Sequence, residues 1–531
     1  MAKYDAIIIG AGHNGLVHAA YLARAGLRAL VLERRHVIGG ATVTEEIFPG
    51  FQYLIGSYLI SLLRAEVIHE LELARHGLEL MPLESTFMPL PNGDYFAEWS
   101  DHDATREEIA RHSPRDAEAY EEFSRTMRRI AQAVKPLLDL APADPSSTSA
   151  RNREGLLRVG NVLGALSQED FFTLTRLLTT SAADFLDGWF EGEALKGTKA
   201  TSGIIGTFLG PRSPGTGYVL LHHYLGEIDG ALRAWGFARG GTGALSRAIA
   251  SAAVEAGVEI RVNAPVARIL VRAGSVRGVA LENGEELLAD IVVSNADVKR
   301  TFLQLVEPAE LPAQFLADVQ RVRMRGPSCK VNLALAGLPE FTALPRGKEA
   351  LLRGSIEIAP SIDYLERAYD DAKHGGWSRR PFMDALIPSL LDPGMAPPGK
   401  HVMSIFVQYA ASDLSGGWNE AKRAEFLEVV VDTLAEYAPN LREIILHKHI
   451  MTPWDLEREL GLTGGHIFHG ELALHQILFL RPIPEHNQYR TPIRRLYLCG
   501  SSTHPGGCIT GAPGRLAAFE VLRDLKRRHA E

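Results

Sequence analysis

The first thirty-three residues place apolar runs and glycines in the order strand, turn, helix, strand. Residues 6–9 are a short apolar run that ends at glycine, which is typical of a parallel strand buried on both faces. From His13 the apolar positions recur with helical spacing until Gly26, a residue that suits the end of a helix. Residues 27–32 are apolar again and predict a second strand.

The same alternation continues to about residue 95 and then gives way to charged helical sequence. Residues 104–130 carry acidic and basic side chains around an apolar stripe, which predicts an inserted helical lobe. Strand and helix patterns resume at about residue 235, with a predicted hairpin turn at 282–285. A strand, a glycine-rich loop and a helix over residues 495–527 then repeat the order of the first unit.

The turn before the first helix carries Gly10, Gly12 and Gly15, the spacing of a dinucleotide-binding loop. Gly10 permits the tight turn, Gly12 lets a pyrophosphate approach the backbone, and Gly15 allows the helix to pack closely on the strand. The amides that open the helix supply partial positive charge. Glu33 follows the second strand, where a carboxylate accepts hydrogen bonds from ribose hydroxyls. Together these features predict a dinucleotide site.

Composition narrows the class of protein. The chain has 531 residues, 46% of them apolar, which is enough for a large core and at least two domains. The formal net charge is −8 and no run of lysine and arginine occurs, so no nucleic-acid partner is predicted. The first motif begins at residue 5, which predicts no signal or transit peptide.

The cysteines and the longest apolar runs bear on the compartment. Cys329, Cys499 and Cys508 are too few for a disulfide framework and form no Cys-x-x-Cys pair, which predicts a reducing cytoplasmic location. No window approaches eighteen uninterrupted apolar residues, so no spanning helix is predicted. An interfacial helix need not look like a span, so peripheral membrane contact stays open.

The chain resembles the FAD-dependent phytoene (carotenoid) desaturase-like family, within the wider group that contains flavin amine oxidases. The resemblance covers most of the chain and rests on four blocks: the first glycine motif with Glu33, the Gly-Gly-Ala step at 39–41, the segments 240–243 and 295–297, and the terminal loop at 498–512. Within the family, residues 464–471 are similar to the branch named, in animals, for a pyridine nucleotide-disulphide oxidoreductase domain.

The resemblance implies an α/β fold with a Rossmann-like FAD-binding domain of the glutathione reductase type and an inserted substrate domain of mixed sheet and helical lobe. It implies that residues 1–95, 235–310 and 480–531 form the FAD-binding domain, and that residues 96–234 and 311–479 form the substrate-binding domain. The residues implied to hold FAD are Gly10, Ala11, Gly12, Asn14, Gly15, Glu33, Arg34, Gly39, Gly40, Ala41, Val266, Gly500, Ser501, Pro505, Gly507, Gly511 and Ala512.

The candidate catalytic side chains lie near the end of the chain. His466 and His469 are three residues apart and His504 lies in the terminal loop, so the three are candidates for acid/base chemistry or for binding a carboxylate. The alternative for each is a histidine that holds a turn or a backbone carbonyl. Cys508 is a candidate to touch or tether the flavin, or a small side chain that fills a gap. No metal site is predicted, because no tightly spaced ligand set occurs.

The resemblance implies an FAD-dependent oxidoreductase that transfers hydride between a small apolar or amphiphilic substrate and flavin N5, in the direction of desaturation or of saturation. Three alternatives stay open: a redox-neutral flavin-dependent hydratase or isomerase, a flavin amine oxidase, and a non-catalytic flavin-binding interaction protein. An amine oxidase would need an aromatic cage at the flavin, and the sequence does not place Tyr497 or Trp454 there. The electron acceptor and the oligomeric state are not specified by the sequence.

Overall fold

The computed structural model describes residues 4–530 of the chain. Its strands are β1 (Tyr4–Ile9), β2 (Ala29–Leu32), β3 (Thr44–Phe48), β4 (Phe51–Leu54), β5 (Leu80–Pro82), β6 (Ser85–Pro89), β7 (Tyr95–Trp99), β8 (Glu227–Ile228), β9 (Ala231–Leu232), β10 (Gly236–Ala238), β11 (Glu259–Arg261), β12 (Val266–Arg272), β13 (Ser275–Leu281), β14 (Glu286–Ser294), β15 (Ser328–Leu335), β16 (Ser355–Ile358), β17 (Trp377–Leu386), β18 (His401–Ala410), β19 (Ile445–Met451) and β20 (Leu496–Leu498).

The α-helices are α1 (His13–Arg24), α2 (Ala65–Glu70), α3 (His102–His112), α4 (Pro114–Val134), α5 (Ala150–Gly164), α6 (Gln168–Thr179), α7 (Ala182–Asp187), α8 (Glu193–Thr201), α9 (Thr216–Tyr224), α10 (Thr242–Glu255), α11 (Val298–Arg300), α12 (Ala313–Arg321), α13 (Ile362–Ala372), α14 (Glu420–Ala435), α15 (Leu441–Ile444), α16 (Pro453–Leu460) and α17 (Ala512–Ala530).

The first sheet collects strands from the two ends and the middle of the chain. Its order is β11-β2-β1-β14-β13-β12, with β20 also paired to β14. Strands β11, β2, β1, β14 and β20 run parallel, and β12, β13 and β14 form an antiparallel meander. Helices α1, α10 and α17 bury their apolar residues against one face of this sheet. The predicted α/β fold with a Rossmann-like unit is confirmed.

The second sheet has the order β19-β15-β18-β17-β16-β6-β7 and is antiparallel except where β16 meets β6. Helix α14 packs on one face, whereas α13 and the helical lobe of α4 and α6–α9 pack on the other. The β6–β7 hairpin belongs to this sheet. The domain boundary predicted at residue 95 falls at the start of β7 and therefore divides this hairpin. The apolar pattern of a hairpin does not reveal which sheet it joins.

The strand ends of the first sheet approach one another closely at Asn295. Parallel strands present their carboxyl ends at one edge, so the loops after β1, β14 and β20 meet there. A Cβ on Gly15 would lie 2.3 Å from the Gly10 carbonyl oxygen, and a Cβ on Gly500 would lie 2.5 Å from the Asn295 carbonyl oxygen. Real Cβ atoms do not come so close, so both positions require glycine.

Across residues 4–530, no helix is both long and apolar enough to cross a lipid bilayer.

Replacing Gly500 by alanine tests this close approach. The added methyl must push β20 away from Asn295, and we expect a loss of about 1–3 kcal/mol in the free energy of unfolding. Gly160→Ala is the control, because a methyl on Gly160 in α5 would project into open space, and it is expected to stabilise the helix. Urea denaturation of both variants measures the difference; equal midpoints would contradict the packing described.

Candidate active site: one cavity from the glycine loops to the second sheet

A single cavity connects the glycine loops of the first sheet with the underside of the second sheet. At one end it is lined by Gly10, Gly12, His13, Glu33, Gly39 and Gly40. At the other end it is lined by Tyr58, Ile205, Trp235, Lys330, Phe406, Phe468 and Cys508. The two ends differ in chemistry, since the first exposes backbone and carboxylate groups and the second exposes mainly apolar and aromatic side chains.

Glu33 is held in place by backbone amides at the first end of the cavity. Its carboxylate accepts hydrogen bonds from the amides of Ala11 and Arg35, both at 2.9 Å. The side chain is only 6% exposed and still lines the cavity. A carboxylate has lone pairs to spare after two such bonds, so Glu33 is able to accept the ribose hydroxyls for which the sequence predicts it.

The first end of the cavity fits a dinucleotide in shape and in polarity. A Cβ on Gly12 would lie 2.9 Å from the Asn295 side-chain nitrogen, and one on Gly40 would lie 3.3 Å from the Gly12 Cα. The space at this end of the cavity is therefore open because both residues are glycines. Buried polar atoms without hydrogen-bond partners in the described protein face this region, namely His13 Nε2, Asn14 Oδ1, Arg35 Nη1 and His469 Nδ1. Unpaired buried polar atoms are costly, and a polar ligand would satisfy them.

The predicted cofactor residues divide into lining and packing positions. Those that line the cavity are Gly10, Gly12, Asn14, Glu33, Arg34, Gly39, Gly40, Ala41, Val266 and Ser501. Those outside its lining are Ala11, Gly15, Gly500, Pro505, Gly507, Gly511 and Ala512.

Most of the predicted cofactor residues outside the cavity lining are packed closely against other side chains. A Cβ on Gly507 would overlap the Phe468 ring at 2.0 Å, and Gly511 lies against Val67. Ala11 acts on the site through the amide that it donates to Glu33. The glycines of the terminal loop pack closely against other segments of the chain, and their contact with FAD stays a prediction.

The three histidines predicted as catalytic candidates do not share one cavity. His469 lines it, and burial lowers its pKa. His466 lies outside, where its Nδ1 accepts hydrogen bonds from the amides of Phe468 and Gly470. His504 also lies outside, with Nε2 bonded to the Leu137 carbonyl at 2.9 Å. His466 and His504 both bond to backbone groups in this structure, so a catalytic role for either stays a prediction.

Cys508 lines the cavity at its second end. Its Sγ lies 3.9 Å from Nε2 of His223, a histidine that also lines the cavity. Burial raises the pKa of the Cys508 thiol and lowers the pKa of His223 to about 4, so both side chains are neutral near pH 7. A neutral thiol is a poor nucleophile, so the protonated state of Cys508 favours contact with a ligand over a covalent tether.

Arg481 holds together the loops that close the cavity. It is 1% exposed and burial lowers its pKa to about 10. Its guanidinium donates hydrogen bonds to five backbone carbonyls, those of Phe468, Gly470, Glu471, Gln476 and Ser501. Arg481 thus fixes the segment that carries His469 and Phe468 against the terminal loop.

No sequence motif marks Lys330, which lies near the start of β15 and lines the second end of the cavity. Its Nζ donates a hydrogen bond to Ser404 Oγ and lies 4.8 Å from the centre of the Tyr58 ring. The side chain is 2% exposed, and burial lowers its pKa to about 7. Near neutral pH a substantial fraction of Lys330 is therefore an uncharged amine, able to accept a proton.

Aromatic rings flank Lys330. Tyr58 and Phe406 are stacked with ring centres 6.2 Å apart and an interplanar angle of 17°. Tyr497 and Trp454 are elsewhere: the Tyr497 hydroxyl bonds to Asp524, and Trp454 lies under the Arg458 guanidinium. No sequence motif marks Tyr58 or Phe406, since both fall in ordinary apolar segments.

Comparison with known proteins identifies the family. The family described as flavin containing amine oxidoreductase matches residues 15–522. The chain belongs to this family. Among its relatives is the mouse pyridine nucleotide-disulfide oxidoreductase domain-containing protein 2, which is 42% identical over 99% of this chain and 94% of the mouse protein. The lycopene-forming phytoene desaturase of Pantoea ananas is 26% identical over 98% of this chain and 99% of that protein.

The fold is shared with a solved structure. A triple mutant of putrescine oxidase superposes with a TM-score of 0.63 at 15% sequence identity, covering 99% of each chain. Membership of this family establishes FAD as the cofactor. Glu33, the Gly12 and Gly40 backbones and the opening of α1 would hold its adenosine and pyrophosphate parts.

Replacing Glu33 by glutamine tests the adenosine end of the site. Glutamine keeps the size of the side chain but turns an NH₂ group toward an amide that needs an acceptor. We expect the Kd for FAD to rise by about tenfold to a hundredfold, the equivalent of ~1.5–3 kcal/mol for hydrogen bonds to a charged group. Titration of apoprotein with FAD measures it, with Glu46→Gln in the exposed part of the β3–β4 hairpin as the control. An unchanged Kd for FAD would contradict a role of Glu33 in binding the adenosine ribose.

The lowered pKa of Lys330 predicts how the free energy of unfolding changes with pH. The unfolded chain holds a proton on this lysine up to about pH 10.5, and the folded chain only up to about pH 7. Since the unfolded state binds more protons between these values, this group makes the folded state more stable as pH rises through the window. We expect Lys330→Met to be more stable than the wild type, with the advantage shrinking from pH 7 to 10.5.

Urea midpoints of the apoproteins across this pH range measure the effect. Lys400→Met is the control, because Lys400 is exposed and outside the cavity. Parallel pH profiles for the wild type and Lys330→Met would show that Lys330 titrates as an ordinary lysine.

Proposed function

We propose that the protein is an FAD-dependent oxidoreductase of the phytoene desaturase-like type, which transfers hydride between FAD and a hydrophobic or amphiphilic small molecule, as desaturation or the reverse. The observation that carries this proposal is the continuity of the cavity. The same space that begins at the glycine cradle ends among apolar side chains under the second sheet. A cofactor and an apolar substrate therefore have room to meet away from water.

When bound, FAD supplies a hydride acceptor and stores two electrons. Removing two hydrogens from a substrate releases one hydride and one proton, so the protein must also take up a proton. The neutral amine of Lys330 is the group in the cavity that suits this role, since Nζ has a lone pair and a pKa of about 7. Ser404 orients Nζ by accepting one of its hydrogens.

The rest of the second end aligns the substrate and excludes water. Leu59, Leu62, Ile205, Phe406 and Phe468 present apolar surface, and they leave few hydrogen-bonding groups to stabilise water. Holding a substrate C–H bond in a fixed orientation supplies much of the rate enhancement in reactions of this kind.

The flavin amine oxidase is the alternative with a specific observation in its favour. The stacked Tyr58 and Phe406 rings beside Lys330 form an aromatic enclosure, and the family name refers to amines. A redox-neutral hydratase or isomerase would use the same cavity without net electron transfer. The non-catalytic interaction protein is disfavoured, because such a protein has no need for an open apolar space next to its cofactor.

The chemistry is tested by anaerobic reduction of the FAD-loaded protein with candidate alkenes, saturated polyene precursors and amines. We expect an apolar or amphiphilic compound to bleach the flavin, with a limiting rate that rises as pH increases through about 7, because the neutral form of Lys330 accepts the proton. Lys330→Met should lower that rate by about a hundredfold or more and abolish the pH step.

Lys400→Met should keep the wild-type rate and pH profile. Bleaching by amines alone would favour the amine oxidase, and turnover that requires reduced flavin without net oxidation would favour the redox-neutral enzyme. A rate independent of pH in the wild type would exclude Lys330 as the proton acceptor.

A further inference from the structure

Four side chains on one face of the second sheet lie in a single row across its strands. Lys330 on β15 is directly opposite Phe406 on β18, and Phe406 is opposite Asp384 on β17. Asp384 in turn is opposite Glu357 on β16. Directly opposed residues of antiparallel strands present their side chains to the same face. The row therefore brings one buried amine into register with two buried carboxyl groups.

Tyr58 bridges the row between Lys330 and Asp384. Its ring stacks on Phe406 with ring centres 6.2 Å apart, and Nζ of Lys330 lies 4.8 Å from the centre of the Tyr58 ring. Its hydroxyl donates a hydrogen bond to Asp384 Oδ2. Two strand spacings separate the backbones of Lys330 and Asp384 by roughly 10 Å, and aromatic rings occupy the interval. A charge on either side chain is therefore weakly screened from the other.

The two carboxyl groups of the row have different hydrogen-bond partners. Asp384 accepts a hydrogen bond on each oxygen, from the hydroxyls of Tyr58 and Ser355. Glu357 is 9% exposed, and its Oε2 has no hydrogen-bond partner among the described residues. Donors stabilise a carboxylate, whereas burial without donors stabilises the protonated acid. If the pair retains one proton, Glu357 is the better place for it.

The pKa shifts in the row agree with this difference. Burial raises the pKa of Glu357 well above its usual range, and the charge of Asp384 raises it further. Burial also raises the pKa of Asp384, but hydrogen bonds from Ser355 and Tyr58 and the charge of Lys330 oppose that rise. Burial lowers the pKa of Lys330, and the charge of Asp384 opposes the fall. Lys330 and Asp384 therefore each favour the charged form of the other.

Titratable groups also face the row from neighbouring elements. Glu98 on β7 forms ion pairs with Lys199 and, at 3.2 Å, with Arg233. The charge of Glu98 raises the pKa of Glu357 and the two cations lower it, so their effects oppose one another. At the other end of the row, His449 on β19 is neutral near pH 7, because burial lowers its pKa to about 4. A second cavity next to Glu357 is also lined by His102, Tyr120, Tyr224 and the exposed Arg128.

We propose that ionised Asp384 is the counter-ion of the ammonium form of Lys330, and that Glu357 keeps its proton. When a substrate gives hydride to FAD and a proton to Nζ, the new positive charge then faces a carboxylate that is already in place. Asp384 acts through Lys330 and not on the substrate, so it is a positioning residue. Its role in turnover rests on the proposed function, whereas the pairing of the two charges in the free protein does not.

The pH dependence of flavin bleaching tests this role in the FAD-loaded protein. Asp384→Asn removes the counter-ion, so we expect the midpoint of the pH step in the bleaching rate to fall by about one unit. Glu357→Gln resembles the protonated acid and should leave the midpoint at the wild-type value. Asp370→Asn, at an exposed position of α13 outside both cavities, is the control. Damage to packing alone would lower the rate without moving the midpoint.

The stability of the apoprotein reports the same shift without substrate or turnover. Lys330→Met is combined with each variant, and the stability that it adds is followed by urea denaturation across the pH range in which Lys330 titrates. In the wild-type background this advantage shrinks above about pH 7. With Asp384→Asn the pKa of folded Lys330 falls, so the advantage should begin to shrink about one unit lower. With Glu357→Gln it should begin at the wild-type pH.

Infrared spectroscopy locates the proton without any change at Asp384. The difference spectrum of wild type minus Glu357→Gln near pH 7 should contain the C=O stretch of a protonated carboxyl group. Absence of that band would overturn the proposal. An unchanged Lys330 midpoint in Asp384→Asn, or an equal shift in Glu357→Gln, would overturn it as well.

Failure of this pairing and failure of the proposed function give different results. If no compound bleaches the flavin but the stability profiles shift as expected, the proposed reaction is wrong and the pairing of Lys330 with Asp384 stands. If a compound bleaches the flavin with a pH step that Asp384→Asn does not move, the reaction stands and Asp384 is not the counter-ion.

Discussion

The close approach of three chain segments at Asn295 is the constraint on which the rest of the structure depends. The loops after β1, β14 and β20 come from the two ends and the middle of the chain, and they meet only because Gly15 and Gly500 have no side chains. The Asn295 amide donates to the Ile9 carbonyl and its side chain donates to Gly10. This arrangement sets the shape of the cradle where the cofactor cavity begins, and it explains how a discontinuous domain closes.

The other end of the cavity is built at a cost in stability. Lys330 is buried in a strand whose residues are all buried, where an apolar side chain would fold more easily. Asp384 faces Glu357 across the neighbouring strands of the same sheet, and Tyr58, which lines the cavity, donates a hydrogen bond from its hydroxyl to Asp384. Buried titratable groups that cluster around a cavity are typical of functional sites. Arg481 keeps the covering loops fixed through backbone carbonyls alone.

The sequence predicts the cofactor end of the site well, because its signals are local. Glycine spacing, a helix start and a carboxylate after a strand lie within one segment, so Gly12 and Glu33 are found without knowing the fold. Lys330 gives no such signal, because the sequence alone predicts that a single lysine in an apolar strand lies at a sheet edge or on the surface. Only the folded structure shows which side chains surround it. Nearness in sequence to glycine loops makes His466 and His504 candidates, but their rings face backbone groups in the folded chain.

A crystal structure of the purified protein with FAD is the most direct test of the central claim, which is that one cavity serves both the cofactor and the substrate. We expect the adenosine ribose at Glu33 and the ring end of FAD in the part of the cavity that Cys508 and Lys330 line. The apolar space beside the ring should stay open. A ring end that lies outside this cavity, or one that fills it and leaves no space next to Lys330, would contradict the account.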